Sequence, residues 1–248
     1  MEKLGLQLYS VKELTAQDFS GTIAQVAKAG YDGVEFAGYF DTPAKELRRI
    51  LDGNGIKACG SHISMDQIDK DLDGLIAYSL EIGSPYIVCP AVWGDMVGSA
   101  DAWKRTGERF EVVGRKCLEQ GIYFGYHNHD FEFVQYDGKS AYDIMLEQTD
   151  PRHVFLELDT YWVEYAGMNI AAFMAKYAER LKLLHIKDMK SQEDKHNTEI
   201  GKGIIDVPAI VKAGKPIGVQ WYIVEQEYFE MPQLPSIAES CAYLRSIT

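Results

Sequence analysis

The fold the sequence predicts is α/β, a closed (β/α)8 barrel, and three observations predict it. Eight short β-rich runs alternate with helical patterns along the chain, the order that repeated βα units produce when they close a parallel sheet. Three joints share one grammar of helix, glycine, apolar residue and strand: AGYDGVEF, NGIKACGSH and QGIYFGYHNH. No GxGxxG follows the first run, so the usual mark of a doubly wound open sheet is missing. The expectation is one barrel domain over residues 1–248, a length at which this fold commonly occurs.

Taken in order, the strand-like runs fall at 4–9, 33–36, 56–60, 85–89, 123–127, 154–159, 183–187 and 219–225. Between them lie helices. Residues 19–29 carry Ile23, Val26 and Ala27 at helical spacing and stop at Gly30, a glycine where a helix is expected to end. By the same rule 44–51 ends before Gly53, 102–120 at Gly121, and 208–213 at Gly214.

Composition narrows the function. With 46% hydrophobic and 12% aromatic residues the chain can bury one sizeable core. It carries 25 basic against 37 acidic residues, net −12, which argues against affinity gained by neutralising phosphates, so no nucleic-acid partner is expected. No apolar run reaches the eighteen or so residues of a membrane span, and Met1 to Ser10 reads as a strand, not as a leader. Cys59, Cys89, Cys117 and Cys241 are widely spaced without a CxxC, which fits a reducing cytoplasm. The sequence leaves open whether the chain forms a homo-oligomer.

Active sites of this fold sit at the C-terminal strand ends, and chemistry-bearing residues gather there. Glu35, His62, His127, His129, Asp159, His185, Lys187 and Glu225 all fall at or just beyond the ends of predicted strands, whereas His153 opens one. An imidazole-rich set with two carboxylates arriving from separate strands suits a divalent cation such as Zn²⁺, Mn²⁺ or Co²⁺. Strand alternation puts Glu157 with Asp159 on one face, Leu183 with His185 and Lys187, and Ile223 with Glu225 and Glu227. Asp159, His185 and Glu225 then converge as three ligands.

The runs GYDGVEF, YHNHDFEF, LELDTYW, LLHIKDM, GKGIID and WYIVEQ resemble the xylose-isomerase-like superfamily of sugar phosphate isomerases and epimerases, over nearly the whole chain. That group includes tagatose/psicose 3-epimerases, inosose dehydratases and isomerases, and apurinic-site endonucleases. The resemblance implies one metal ion, Mn, Co, Zn or Mg, held by Glu, Asp, His and Glu from strands five to eight. Asp159, His185 and Glu225 match the last three positions. His127 stands where the family has its strand-five glutamate, and a neutral imidazole can still bind a metal. The expected set is therefore His127, Asp159, His185 and Glu225, with His129 or Glu132 the alternatives at strand five. A two-glutamate proton relay would have to draw on Glu132 or Glu157 instead.

The activity so implied is sugar isomerisation or epimerisation: a metal polarises a ketone and its neighbouring hydroxyl, and a base removes the adjacent proton through an enediolate. Glu225 is the expected base. Without the strand-five glutamate, dehydratase or lyase action on a keto-sugar, inosose or 3-keto-glycoside is the alternative, with His129 or Lys187 as general acid. A non-catalytic sugar-binding barrel is the alternative of another class. Glu35 is expected either to bind a sugar hydroxyl or to pair with a basic neighbour, and His62 to contact substrate. Trp93 and Trp162 would rim the pocket with aromatic faces. Asp194 to Gly203 reads as a polar lid, and no Gly-rich phosphate cradle is present.

Overall fold

The computed structural model describes residues 2–248. Its eight parallel strands are β1 Leu4–Gln7, β2 Gly33–Phe36, β3 Lys57–His62, β4 Tyr86–Cys89, β5 Tyr123–His127, β6 Val154–Asp159, β7 Leu181–Ile186 and β8 Trp221–Val224. Neighbours pair in chain order, and β8 returns to β1 through Leu4↔Tyr222 and Leu6↔Val224. The sheet closes into a barrel, as expected.

Several boundaries differ from the sequence reading. The first strand ends at Gln7, because Leu8–Val11 turns into a 3-10 helix whose start is capped by the Gln7 side chain. Strand β3 runs on to His62, while Lys187 and Glu225 lie one residue past their strands. Two helices are longer than expected. Ala44–Asn54 and Val207–Ile217 pass through Gly53 and Gly214 and stop at Gly55 (φ 64°) and Gly218 (φ 86°). Each segment has glycines at two places, and only the second takes the left-handed conformation that ends a helix. The interior one at Gly214 serves packing: a Cβ there would lie 2.5 Å from the Tyr222 hydroxyl.

Two apolar layers hold the barrel. Outward-facing strand residues pack on the helix ring, for example Phe124 and Tyr126 against Phe110 of the helix Ala100–Glu119. Inside, Cys59, Tyr86, Val88, Phe155, Leu183, Trp221 and Ile223 fill the lower barrel. The ring of Phe155 occupies the space of a missing side chain at Gly125, where a Cβ would come within 2.5 Å of it. The barrel is thus plugged below, and polar inward-facing residues are confined to its upper end. No helix among the described residues is long and apolar enough to cross a membrane. All four cysteines are buried and free.

Candidate metal centre

Strand register places the polar residues in tiers. Gln7 pairs with Glu35, His127 with Glu157, and Asp159 with His185. Because alternate residues face inward, these side chains meet inside the barrel, with Glu225 arriving from the end of β8. His127, Asp159, His185 and Glu225 each offer one ligand-type atom, all within 4.8 Å of one another, a group able to hold a metal ion. Two separations are 3.6 Å (His127 Nε2 to Asp159 Oδ2) and 3.0 Å (His185 Nδ1 to Glu225 Oε2). Ligands about 2.0–2.3 Å from a tetrahedral ion lie roughly 3.3–3.7 Å apart, so small side-chain shifts suffice.

The donor chemistry fits a cation. His127 has its Nδ1 3.1 Å from Glu157 Oε1, and His185 has its Nε2 2.7 Å from Glu35 Oε2. Each imidazole therefore gives its N–H to a buried carboxylate and turns its other nitrogen toward Asp159 and Glu225, the arrangement that orients metal-binding histidines. Asp159 Oδ2 is buried and lies 3.6 Å from His127 Nε2 and 3.2 Å from Lys187 Nζ. Its Oδ1 is committed elsewhere, accepting from the backbone N–H groups of Tyr161 and Trp162 and capping the helix Thr160–Tyr165. One oxygen holds the backbone and the other faces the cluster.

A second group, His62, His127, Glu157 and His185, forms the floor. Its centre is Glu157 Oε1, contacted by His62 Nε2 at 2.7 Å, His127 Nδ1 at 3.1 Å and His185 Nε2 at 3.2 Å. Glu35 accepts from Gln7 Nε2 at 2.8 Å and lies 3.3 Å from His62 Nε2. Gly60 makes room for it, since a Cβ there would lie 2.4 Å from Glu35 Oε1. Burial and the neighbouring Glu35 push Glu157 up to about 7. Burial also opposes charge on Glu35, but His62 and His185 outweigh it and hold that carboxyl down at about 2. The floor therefore shares protons among carboxylates and imidazoles, with His185 raised well above its ordinary range by Glu157 and Glu35 against the cost of burial.

Above the floor a cavity of about 400 Å³ opens to solvent, lined by Tyr9, His62, Gln67, Trp93, His127, His129, Lys187, Glu225 and Glu227 among others. Lys187 is buried and is the single lysine or arginine among the residues lining it. Its Nζ lies 2.8 Å from Glu225 Oε2, 2.8 Å from Glu227 Oε1 and 3.2 Å from Asp159 Oδ2. A larger cavity, about 680 Å³, lies between Gly167–Met174 and Ile204–Ala213 outside the barrel and away from this chemistry.

The expected site residues separate accordingly. His62, Trp93, His127, His129, Lys187 and Glu225 line the mouth cavity. Glu35 is wholly buried and pairs with His185, so of its two expected roles the geometry gives pairing, not contact with a sugar hydroxyl. Glu157, expected as a catalytic carboxylate, is sealed in the floor beneath three imidazoles. Trp162 packs on His129 with ring centroids 5.3 Å apart, and its indole stands behind that histidine instead of on the rim. Glu132 lies outside both groups. The 3-10 turn Phe131–Phe133 carries it outside the strand, where it accepts from Tyr126 Oη at 2.6 Å and from the His129 N–H at 2.9 Å. In the expected lid, His196 is exposed and pairs with Asp194, away from the cluster.

Sequence reasoning passed over Asp188. Its carboxylate accepts from the N–H groups of Met189, Gly201, Gly203 and Ile205, anchoring the GKGIID segment beside the mouth. The signal was its place directly after the strand-end Lys187. Glu132 likewise gains a structural role, and burial pushes its carboxyl up to about 7 against hydrogen bonds from Tyr126 and the backbone. A carboxyl raised from 4.5 retains a proton in the folded state that the unfolded chain releases. Its contribution is fully present below about pH 4.5 and lost as pH rises through about 7. Glu132→Gln removes that ionisation, so its stability relative to the parent should improve from pH 5 to pH 8 by roughly 1–3 kcal/mol. Urea unfolding at the two pH values measures it, and an equal difference at both would refute the burial argument.

A family model described as xylose isomerase-like TIM barrel matches residues 23–247. The chain belongs to that family. Among its relatives, the inosose dehydratase of Clostridium beijerinckii is 24% identical over 91% of this chain and 86% of its own length. A crystal structure of a sugar phosphate isomerase/epimerase from Parabacteroides distasonis superposes with TM-score 0.86 at 28% identity, covering 99% of this chain and 94% of that one. The IOLI protein, crystallised with a bound zinc atom, superposes with TM-score 0.77 at 17% identity, covering 99% of this chain and 97% of that one. Within this xylose isomerase-like family the chain is a sugar-modifying barrel with a cluster able to hold a metal ion.

Proposed function

We propose that this barrel removes the proton next to the ketone of an unphosphorylated keto-sugar or keto-polyol, with Glu225 as base, and that a β-oxygen substituent then leaves. A divalent ion held by His127, Asp159, His185 and Glu225 would supply Lewis-acid polarisation of the ketone oxygen. Glu225 takes the proton as the C–H bond breaks; the C–O bond at the next carbon breaks, a C=C bond forms, and the oxygen departs with its electron pair. Lys187 or His129, both on the cavity wall, delivers the proton that releases a hydroxyl as water.

One observation carries the choice of elimination over epimerisation. Epimerisation returns a proton to the opposite face, for which the family's relay uses a strand-five glutamate. The strand-five position holds His127 instead, with its N–H committed to Glu157, and Glu157 itself is sealed from the cavity. Elimination needs one base and one donor, which this wall provides. Similarity to inosose dehydratases supports the same reading. An unphosphorylated substrate is supported by the lining, whose lysine already lies against three carboxylates. Isomerisation shares the first step and is the second reading, favoured by the 28% identity to a sugar phosphate isomerase/epimerase.

The test is incubation with Mn²⁺, Co²⁺ or Zn²⁺ and a panel of inososes, ketoses and 3-keto-glycosides in D₂O. Elimination should give an enone absorbing in the ultraviolet, and recovered substrate should carry deuterium at the carbon next to the ketone. A deuterated, stereoinverted ketose without enone would replace elimination by epimerisation. A protein that takes up no metal and exchanges no substrate proton would be a binding barrel.

A further inference from the structure

Beside the polar cavity lies a second cleft of about 340 Å³, walled by Trp93, Val97, Trp103, Phe131, Val134 and Tyr136 with no charged side chain among its lining residues. The two share a wall. Trp93 lines both, and Phe131, which lines the apolar cleft, stacks on His129 of the polar one with centroids 5.7 Å apart at 17°. Trp93 is 66% and Val134 52% exposed. Apolar surface of this kind on the rim of a pocket marks a ligand groove. Its aromatic side chains suit a planar ring, and the polar atoms of its lining side chains are confined to two indole N–H groups and the Tyr136 hydroxyl.

From this continuity we infer that the substrate is a keto-glycoside with an aromatic aglycone, the keto-sugar ring in the polar cavity and the aglycone in the apolar cleft. The inference rests on the reading of Glu225 as base and names the leaving group. Glu225 accepts the proton from the carbon between the ketone and the glycosidic carbon. The bond from the glycosidic carbon to the aglycone oxygen breaks, a C=C bond forms in the sugar, and the electron pair leaves on the oxygen as an aryloxide. A phenol-like pKa near 10 makes that a good leaving group without strong acid assistance. The aryloxide then takes a proton from water, so the products are an unsaturated keto-sugar and a phenol.

Phenyl and methyl 3-keto-β-glucosides, assayed with the metal-supplied protein, test it. The phenyl compound should show kcat/KM at least about tenfold above the methyl one, and free phenol should be released. Val134→Asp changes an exposed side chain of the apolar cleft alone, so folding is expected to survive. It should bring the phenyl-to-methyl ratio down toward one while leaving the methyl rate and deuterium exchange unchanged. Equal rates on both compounds in the parent protein, or a ratio that this variant does not alter, would overturn the aglycone assignment. If Val134→Asp instead converts a dimer to a monomer in light scattering with the ratio unaltered, the cleft is a contact between copies and the assignment falls. Binding separates the two readings: phenyl-selective affinity with no proton exchange on any substrate keeps the cleft and refutes Glu225 chemistry, whereas exchange without phenyl selectivity does the reverse.

Discussion

Replacing Glu225 with glutamine should lower kcat by roughly 10² to 10⁴ at saturating metal, the range expected when a general base is lost. Glu225 lines the mouth cavity, and its Oε2 lies 3.0 Å from His185 Nδ1 and 2.8 Å from Lys187 Nζ. Those contacts hold its carboxyl well below the ordinary range although burial pushes the other way, the Lys187 charge being the largest lowering influence. It is therefore ionised and ready to accept a proton at neutral pH. Glutamine preserves shape and can still accept a hydrogen bond, so the loss should fall on the chemical step. Deuterium exchange next to the ketone should drop by the same factor as turnover. Near-normal exchange in Glu225→Gln, with loss in His129→Ala, would move the base to His129.

The mouth of the barrel was legible because its residues obey two local rules at once. His127 and Asp159 close runs that read as strands, His185 lies within the last residues of one and Glu225 at the end of another, and the alternation of each strand directs them inward. Depth was not legible. Glu35 and Glu157 carry the same kind of side chain as Glu225, but their register opposite Gly60 and His127 drops them into the floor, a property of pairing between strands far apart in sequence. The GSHIS run placed His62 at a strand end without revealing that it would bridge Glu35 and Glu157 at 3.3 and 2.7 Å. Glu132 escaped for another reason: a short 3-10 turn reverses its direction, and strand periodicity does not extend through a turn.

The deciding test of the metal centre is a series at Asp159, because this carboxylate has two separable roles. Asp159→Asn keeps an oxygen able to cap the helix Thr160–Tyr165 but gives up the anionic ligand. Metal affinity should fall by more than about 10²-fold, exceeding the 10–100-fold typical of outer-shell partners. Asp159→Ala loses the cap as well and should cost about a further 1 kcal/mol of stability whether or not metal is present. Glu35→Gln, which weakens the hold on His185 Nε2, should lower affinity by about 10–100-fold. In the parent protein, metal at 100 times its Kd should add about 2.7 kcal/mol of stability, or roughly 5–10 °C in Tm for a chain of this size. That shift should vanish in Asp159→Asn at the same metal concentration, and bound metal measured by mass spectrometry should fall in parallel. An Asp159→Asn protein that keeps the full Tm shift and one equivalent of metal would place the ion elsewhere, with the floor group around Glu157 and His62 the next to test.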